Sequence, residues 1–180
     1  MILSKQHILE RHNKGDIVYY SPAGYKIEDF AKNQSVDVHL GDWLYFPENK
    51  QWTLIPEEGL LIANGTFFLA YTEEFIGTKQ GSNLHAEWHL RSTVARLGLG
   101  HAKAGWGDTG YYNRWCMEFY TYLPFMVKRG QRIAQISFSE TLPSESDYTQ
   151  ETGNYQSNDN LDLLFANWEK ENILPNQNNT

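Results

Sequence analysis

From residue 17 to residue 138 the chain is a succession of short β-branched and aromatic runs, each closed off by Gly, Pro, Asn or Asp. Strands this short cannot bury themselves one at a time. They must close into a sandwich or barrel, so the pattern predicts an all-β, mainly β domain. Two runs alternate strictly. One is Val36-Asp-Val-His-Leu; the other is Leu84-His-Ala-Glu-Trp-His-Leu, in which Leu84, Ala86, Trp88 and Leu90 share a face. Residues 67–71, 115–122 and 132–138 read as further strands. With 180 residues the chain is long enough for one core without covalent staples.

Two interruptions break the strand pattern. Ser4 is a good N-cap for a helix over residues 5–13 that stops at Gly15, and Ser92 could cap one helical turn before Gly98. After residue 138 the composition changes. Residues 141–160 are polar with little to bury, whereas 161–174 have the spacing of a short amphipathic helix. The expected organisation is a β domain over 1–140 and a polar C-terminal tail over 141–180.

Cys116 is the single cysteine. It excludes an internal disulfide and a thiolate-rich zinc site, and it suits a reducing compartment. The opening Met1-Ile-Leu-Ser-Lys-Gln-His has no apolar signal segment, and no apolar run approaches the ~18 residues of a membrane span. A cytoplasmic protein with no membrane partner is the expectation. A net charge of −7 argues against nucleic acid as a partner. Between residues 91 and 132, however, seven bases face two acids, a local +5. That balance fits a small anionic ligand, or simply a solvated basic face.

The chemistry-bearing residues are few. His85 and His89 lie on the polar face of an alternating strand, about 13 Å apart, which suits two surface histidines better than a metal pair. Cys116 reads as a buried thiol. Arg91-Ser92-Thr93 at a strand-to-helix turn offers a bidentate cation, two hydroxyls and free amides, the parts a phosphate chain requires; a capped turn with a surface arginine uses the same residues. The glycines of Ala104-Gly-Trp-Gly-Asp-Thr-Gly-Tyr predict a tight hairpin with Asp108 near its tip. The strand after it carries Glu118 among Trp115, Cys116, Met117, Phe119 and Tyr120. A carboxylate there either points outward or has a raised pKa, and a raised pKa suits a proton shuttle.

Taken in order, Met1-Ile-Leu-Ser, Ser35-Val-Asp-Val-His-Leu-Gly, Arg91-Ser-Thr-Val-Ala-Arg-Leu-Gly-Leu, Ala104-Gly-Trp-Gly-Asp-Thr-Gly-Tyr, Met117-Glu-Phe-Tyr and Gly130-Gln-Arg-Ile-Ala-Gln resemble the dCTP deaminase and dUTPase superfamily. The match is with its bifunctional branch, and it covers residues 1 to about 140. The resemblance implies a β-clip, jelly-roll-like fold assembled as a homotrimer, with active sites between subunits. It implies a deoxypyrimidine nucleoside triphosphate as substrate, with Mg²⁺ held by the triphosphate. Arg91, Ser92 and Thr93 match the phosphate-binding turn, and Arg96 the arginine that organises the site. The Ala104 backbone matches the contact that reads the pyrimidine edge. Asp108 matches the residue facing the sugar 3′-hydroxyl and the hydrolytic water, Tyr111 the ring on the deoxyribose, and Gln135 a further substrate contact.

Glu118 separates the subfamilies. The resemblance implies a deaminase in which Glu118 takes a proton from the water that adds to C4 of cytosine, with Asp108, Ser92 and Arg96 completing the catalytic set. The implied activity is dCTP hydrolysis to dUTP and ammonia without zinc, continuing to dUMP and pyrophosphate. A dUTPase-only enzyme and a non-catalytic deoxynucleotide-binding regulator remain the alternatives. The departures are Leu90 for a glycine, Lys103 for a threonine, a loop over 99–101 one residue short, and Asn154 for a phosphate-binding lysine. The tail, with Tyr148, Tyr155 and Gln156, resembles the family's closing segment over the active site.

Overall fold

The computed structural model describes residues 1–143 and 146–148. Its strands are β1 (Ile17–Tyr20), β2 (Val36–Phe46), β3 (Gln51–Leu54), β4 (Leu60–Ile62), β5 (Phe67–Thr78), β6 (Leu84–Leu90), β7 (Leu99–His101), β8 (Trp106–Gly107), β9 (Tyr112–Thr121), β10 (Phe125–Val127) and β11 (Arg132–Glu140). Three short helices, α1 (Lys5–Asn13), α2 (Ile27–Phe30) and α3 (Ser92–Arg96), sit between them. The architecture is mainly β, as the alternation predicts. No helix among the described residues is long and apolar enough to cross a membrane.

Two sheets share β2. Its first residues, Val36 to His39, pair with β11, which continues to β6 and then to β8. Its later residues lie between β5 and β3, and β5 carries on to β9 and β7, with β1 against its far end. The strand changes sheet around Gly41. There the register with β5 slips between Leu40 and Leu44, and an added Cβ would lie 3.1 Å from the Tyr71 carbonyl oxygen. A glycine bulge of this kind lets one strand bend enough to serve two sheets. β6 and β7 belong to different sheets, yet only residues 91–98 join them. The short α3 connection therefore draws the two sheets together.

The core fills the space between the sheets. Leu40, Phe68, Ile76, Met117 and Phe119 from one sheet meet Val38, Ala86, Trp88, Ile136 and Phe138 from the other, all at or near zero exposure. Each large side chain so buried stabilises the fold by roughly 1.5–3 kcal/mol. β6 keeps the expected alternation, with His85, Glu87 and His89 on the outer face.

β2 does not keep it. Asp37 and His39 are both 3% exposed, although the alternation assigns them a polar face. Their burial is compensated. Asp37 lies between two guanidiniums, with Arg91 Nε at 3.5 Å and Arg132 at 3.4 Å. His39 Nδ1 meets the fully buried carboxylate of Glu74, and the His39 backbone N–H donates to the other Glu74 oxygen at 2.9 Å. Tyr25 covers the imidazole at 4.1 Å and Phe30 meets it edge-on at 4.4 Å. Burial, then the charge of Glu74, pushes the nearby Tyr19 phenol up.

The helix termini differ from expectation in detail. α1 ends at Gly15 (φ 80°) as predicted, but Ser4, at its N-cap position, bonds His7 Nδ1 at 2.7 Å instead of a backbone amide. Arg91 occupies the N-cap of α3 and Ser92 is its first helical residue, because the extended backbone of β6 runs one residue further than the serine signal suggested. The expected helix over 161–174, Asn154, Tyr155 and Gln156 lie outside the described residues.

Replacing Glu74 with Ala strips the buried His39 ring and amide of their acceptor, and should cost about 3–5 kcal/mol. Urea unfolding checks this; a loss under about 1 kcal/mol would mean the pair is replaceable by solvent.

Candidate active site

Glu118 stands on the face of β9 turned away from the core, yet it is only partly exposed. The strand register explains the cover. Trp52 of β3 pairs with Tyr45 of β2, Tyr45 with Leu69 of β5, and Leu69 with Glu118. Partners directly opposite in an antiparallel sheet share a face, so the carboxyl group ends a row of largely buried apolar side chains on the face of the sheet opposite the main core. Tyr45, Leu69 and Tyr71 form a small cluster there, with Trp52 and Cys116 against it. Glu118 Oε2 is buried with no hydrogen-bond partner. Desolvation pushes its pKa up from 4.5 to about 7, slightly offset by its own backbone N–H. The Cys116 thiol beside it is raised by burial and then by the Glu118 charge. Both readings left open for Glu118 hold in part: it points outward, and it is desolvated by its neighbours.

The segment carrying Ala104, Asp108 and Tyr111 is not the predicted hairpin. β8 pairs with β6, whereas β9 pairs with β5 and β7, so the chain arches from one sheet to the other. Two glycines let it pass. An added Cβ would lie 2.5 Å from the Trp88 carbonyl at Gly105 and 2.3 Å from the Trp115 ring at Gly107. Asp108 opens the turn that follows, closed by Tyr111 N–H to Asp108 O at 3.0 Å with Gly110 at φ 95°. Ala104 is exposed, two residues beyond Ala102, whose N–H donates to the Glu118 carbonyl at 3.2 Å. Lys103 between them has φ 60° and its amide donates to His101 Nδ1 at 3.1 Å.

Tyr111 packs edge-on against Trp115 at 4.9 Å and Tyr148 at 5.5 Å. The Tyr148 amide donates to Thr109 O at 2.8 Å, so the described part of the tail returns to the Asp108 turn. A cleft of about 400 Å³ opens there, lined by His85, Trp106, Asp108, Thr141 and Asp147 among others.

The phosphate-turn candidates form a separate group. Ser92, Thr93 and Arg96 are exposed on α3, and the first-turn amides of such a helix have no intrahelical acceptor. Arg91 is held by Asp37 and donates to Arg132 O at 3.2 Å. Gln135 pairs in register with Asp37 and His89, and lines a cleft of about 450 Å³ with Lys32, His89 and Ser137. Among the described residues no hydrogen bond or ion pair joins Arg91, Ser92, Thr93 or Arg96 to the Glu118 side chain. One protomer therefore brings Glu118 close to the Ala104 loop, and Asp108 to Tyr111, with no direct polar contact from the α3 group to Glu118 among the described residues.

Sequence reasoning missed three contributors. Asp37 is buried beneath Arg91, and the signal was an acid inside an apolar strand. His101 stacks on Trp88 at 4.6 Å, its pKa lowered by burial and then by His89 and Lys103. Trp106 donates its indole N–H to Asp108 Oδ1 at 2.8 Å, a contact that spacing alone does not reveal.

Residues 2–141 match the family model described as dCTP deaminase-like. The chain is 31% identical over 185 residues to a protein of Clostridium botulinum (strain Eklund 17B / Type B) named dCTP deaminase, dUMP-forming, across 94% of this chain and 100% of that one. In structure it is similar to the 2′-deoxycytidine 5′-triphosphate deaminase of Agrobacterium tumefaciens, with TM-score 0.62 at 18% identity. That match takes in 76% of this chain and 47% of the other, so this chain spans about half the length of that neighbour. A dUTPase of Staphylococcus bacteriophage 80alpha gives TM-score 0.50 at 12% identity, over 74% of this chain and 88% of that one. At such identities the structural likeness concerns the fold alone.

The raised pKa of Glu118 has a consequence for stability. The folded state holds the proton more tightly than the unfolded chain, so stability is fully present below pH 4.5 and is lost as pH rises through about 7. Glu118→Gln removes that loss. The variant should match the parent at low pH and exceed it above neutrality by up to about 3 kcal/mol, read as a difference in denaturation midpoints across pH. Equal midpoints at every pH would place the carboxyl group in open solvent.

Proposed function

Because this chain belongs to the dCTP deaminase-like family, we propose that it hydrolyses dCTP to dUTP and ammonia and then cleaves dUTP to dUMP and pyrophosphate. The observation that carries the reading is the Glu118 carboxyl group at the end of its apolar row, with one oxygen unpartnered and a pKa of about 7. A group that gains and loses a proton near neutral pH is suited to moving one between water and a ring nitrogen. The relatives' name, dUMP-forming, supports the two-step outcome.

In the first step Glu118 removes a proton from water, and the resulting hydroxide adds to C4 of cytosine. The proton passes to N3, giving a tetrahedral C4 that carries both hydroxyl and amino groups. A second transfer protonates the amino group; the C4–N bond breaks, ammonia leaves, and the C4 carbonyl of uracil forms. Glu118 here supplies the activation of water that a bound zinc ion supplies in zinc deaminases. The Ala104 backbone reads the pyrimidine edge, and Tyr111 packs on the deoxyribose. In the second step Asp108 positions water for attack on the α-phosphorus, and pyrophosphate is the leaving group. Arg91, Ser92, Thr93 and Gln135 hold the phosphates, which arrive with their Mg²⁺. Arg96 organises the turn.

The active site is proposed to lie between copies in a homotrimer. Two features support this: the lack, among the described residues, of any hydrogen bond or ion pair between the α3 group and the Glu118 side chain, and the exposed apolar fringe around the Glu118 row, where Trp43, Leu54, Phe67 and Tyr120 are each 40% exposed or more. A neighbouring copy that covers this fringe completes the desolvation of the carboxyl group and can bring its own α3.

The test is to incubate the protein with dCTP and Mg²⁺ and resolve ammonia, dUTP, dUMP and pyrophosphate. Ammonia and dUMP are expected in equal amounts. Glu118→Gln should slow ammonia release by at least about a hundredfold while dCTP affinity stays near the parent value. Pyrophosphate from dUTP with dCTP untouched would leave a dUTPase, and nucleotide binding without any product would leave a regulator.

A further inference from the structure

Trp106 is 68% exposed, a costly position for an indole on a two-residue strand, yet two specific contacts hold it in place. Its ring lies over the imidazole of His85, with centroids 3.9 Å apart and planes inclined by 34°. His85 is itself fixed. Its Nδ1 lies 3.0 Å from the Gly107 carbonyl oxygen, and since a carbonyl only accepts, Nδ1 carries the hydrogen. The backbone bearing that carbonyl is held by its pairing with Ala86 and by the Trp115 ring against Gly107. On this platform the Trp106 indole N–H donates to Asp108 Oδ1 at 2.8 Å. The other Asp108 oxygen has no hydrogen bond among the described residues. All three side chains line the cleft that the start of the tail overhangs.

We infer that Trp106, packed over His85, is a positioning residue that ties one oxygen of Asp108 and presents the other to a ligand hydroxyl, making the site selective for nucleotides with a 3′-hydroxyl. The inference rests on the reading of Asp108 given above and adds to it the two residues that aim the carboxylate. An exposed aspartate rotates freely about two torsions and must be immobilised on binding. A charge-assisted bond from a rigid, stacked indole removes that freedom beforehand. The ligand hydroxyl then meets a single lone-pair direction, and a nucleotide lacking it leaves the desolvated carboxylate oxygen unpaired.

The contact is read first without ligand. In a ¹H–¹⁵N spectrum the Trp106 indole resonance should shift in Asp108→Ala, and an unmoved resonance would show that the bond does not form in solution. Calorimetry then compares the α,β-imido analogue of dUTP with its 3′-deoxy counterpart. The parent should prefer the 3′-hydroxyl form by about tenfold. Trp106→Phe keeps the stacked ring and removes the N–H; it should bring the two affinities close to parity with an unchanged thermal midpoint. His85→Ala, which leaves the indole free to swing, should give an intermediate ratio. Parent-like discrimination in Trp106→Phe alongside its loss in Asp108→Ala overturns the clamp and leaves the reading of Asp108 standing. Equal affinities in the parent itself overturn both.

Discussion

The structure depends on one strand belonging to two sheets. β2 can do so only because Gly41 lets its backbone approach Tyr71 and shift register there. The strand is therefore enclosed on both faces along its first half, where a strand of a single two-layer sandwich would show one face to water. Asp37 and His39 fall on the face that ought to be wet, and the fold accommodates them with charge. Arg91 and Arg132 meet Asp37, and Glu74 meets His39. Neither pair need add much net stability, since desolvation offsets most of the attraction. What each does is penalise any other register of β2, which would strand a buried ion.

The same strand sets the layout of the candidate site. Asp37 near one end of β2 fixes Arg91 and so the turn into α3. Tyr45 near the other end begins the contact with Leu69 that leads to Glu118. The two positions are up to ~26 Å apart along the strand, and the bend turns them to different sheets. The Arg91 turn and the Glu118 row are thereby anchored to opposite ends of one strand.

Much of this was legible in the sequence. The strands β6, β9 and β11, the helix α1 and the turn at Asp108 follow from periodicity and turn chemistry, which are local. So does the tension at Glu118, since an acid among Trp115, Cys116, Met117 and Phe119 has few ways to be satisfied. Apart from the caps of α1 and α3, the failures are non-local. The predicted hairpin is an arch because β8 finds β6 rather than β9, a choice made by Trp88 and Trp115 closing around Gly105 and Gly107. The buried state of Asp37 and His39 depends on arginines and a glutamate 35 to 95 residues away. The row from Trp52 to Glu118 requires three registers to be known together, and no spacing in the chain encodes it.

The position of Glu118 also explains how a destabilising residue can be tolerated. Its neighbours in the outer cluster are separate from the main core, which lies on the opposite face of the same sheet. Raising the pKa of a carboxyl group by burial works against the folded state at neutral pH, but here the penalty falls on a separate small cluster of five side chains rather than on the packing between the sheets. The core side chains Met117 and Phe119, flanking Glu118 in sequence, can therefore hold β9 in register whatever the protonation state of the acid between them. Strand alternation alone separates the two demands: odd positions keep the fold, and even positions set the proton affinity. A change at Tyr45 or Leu69 should accordingly shift the titration of Glu118 as well as cost stability, while a change at Met117 should cost stability without that shift.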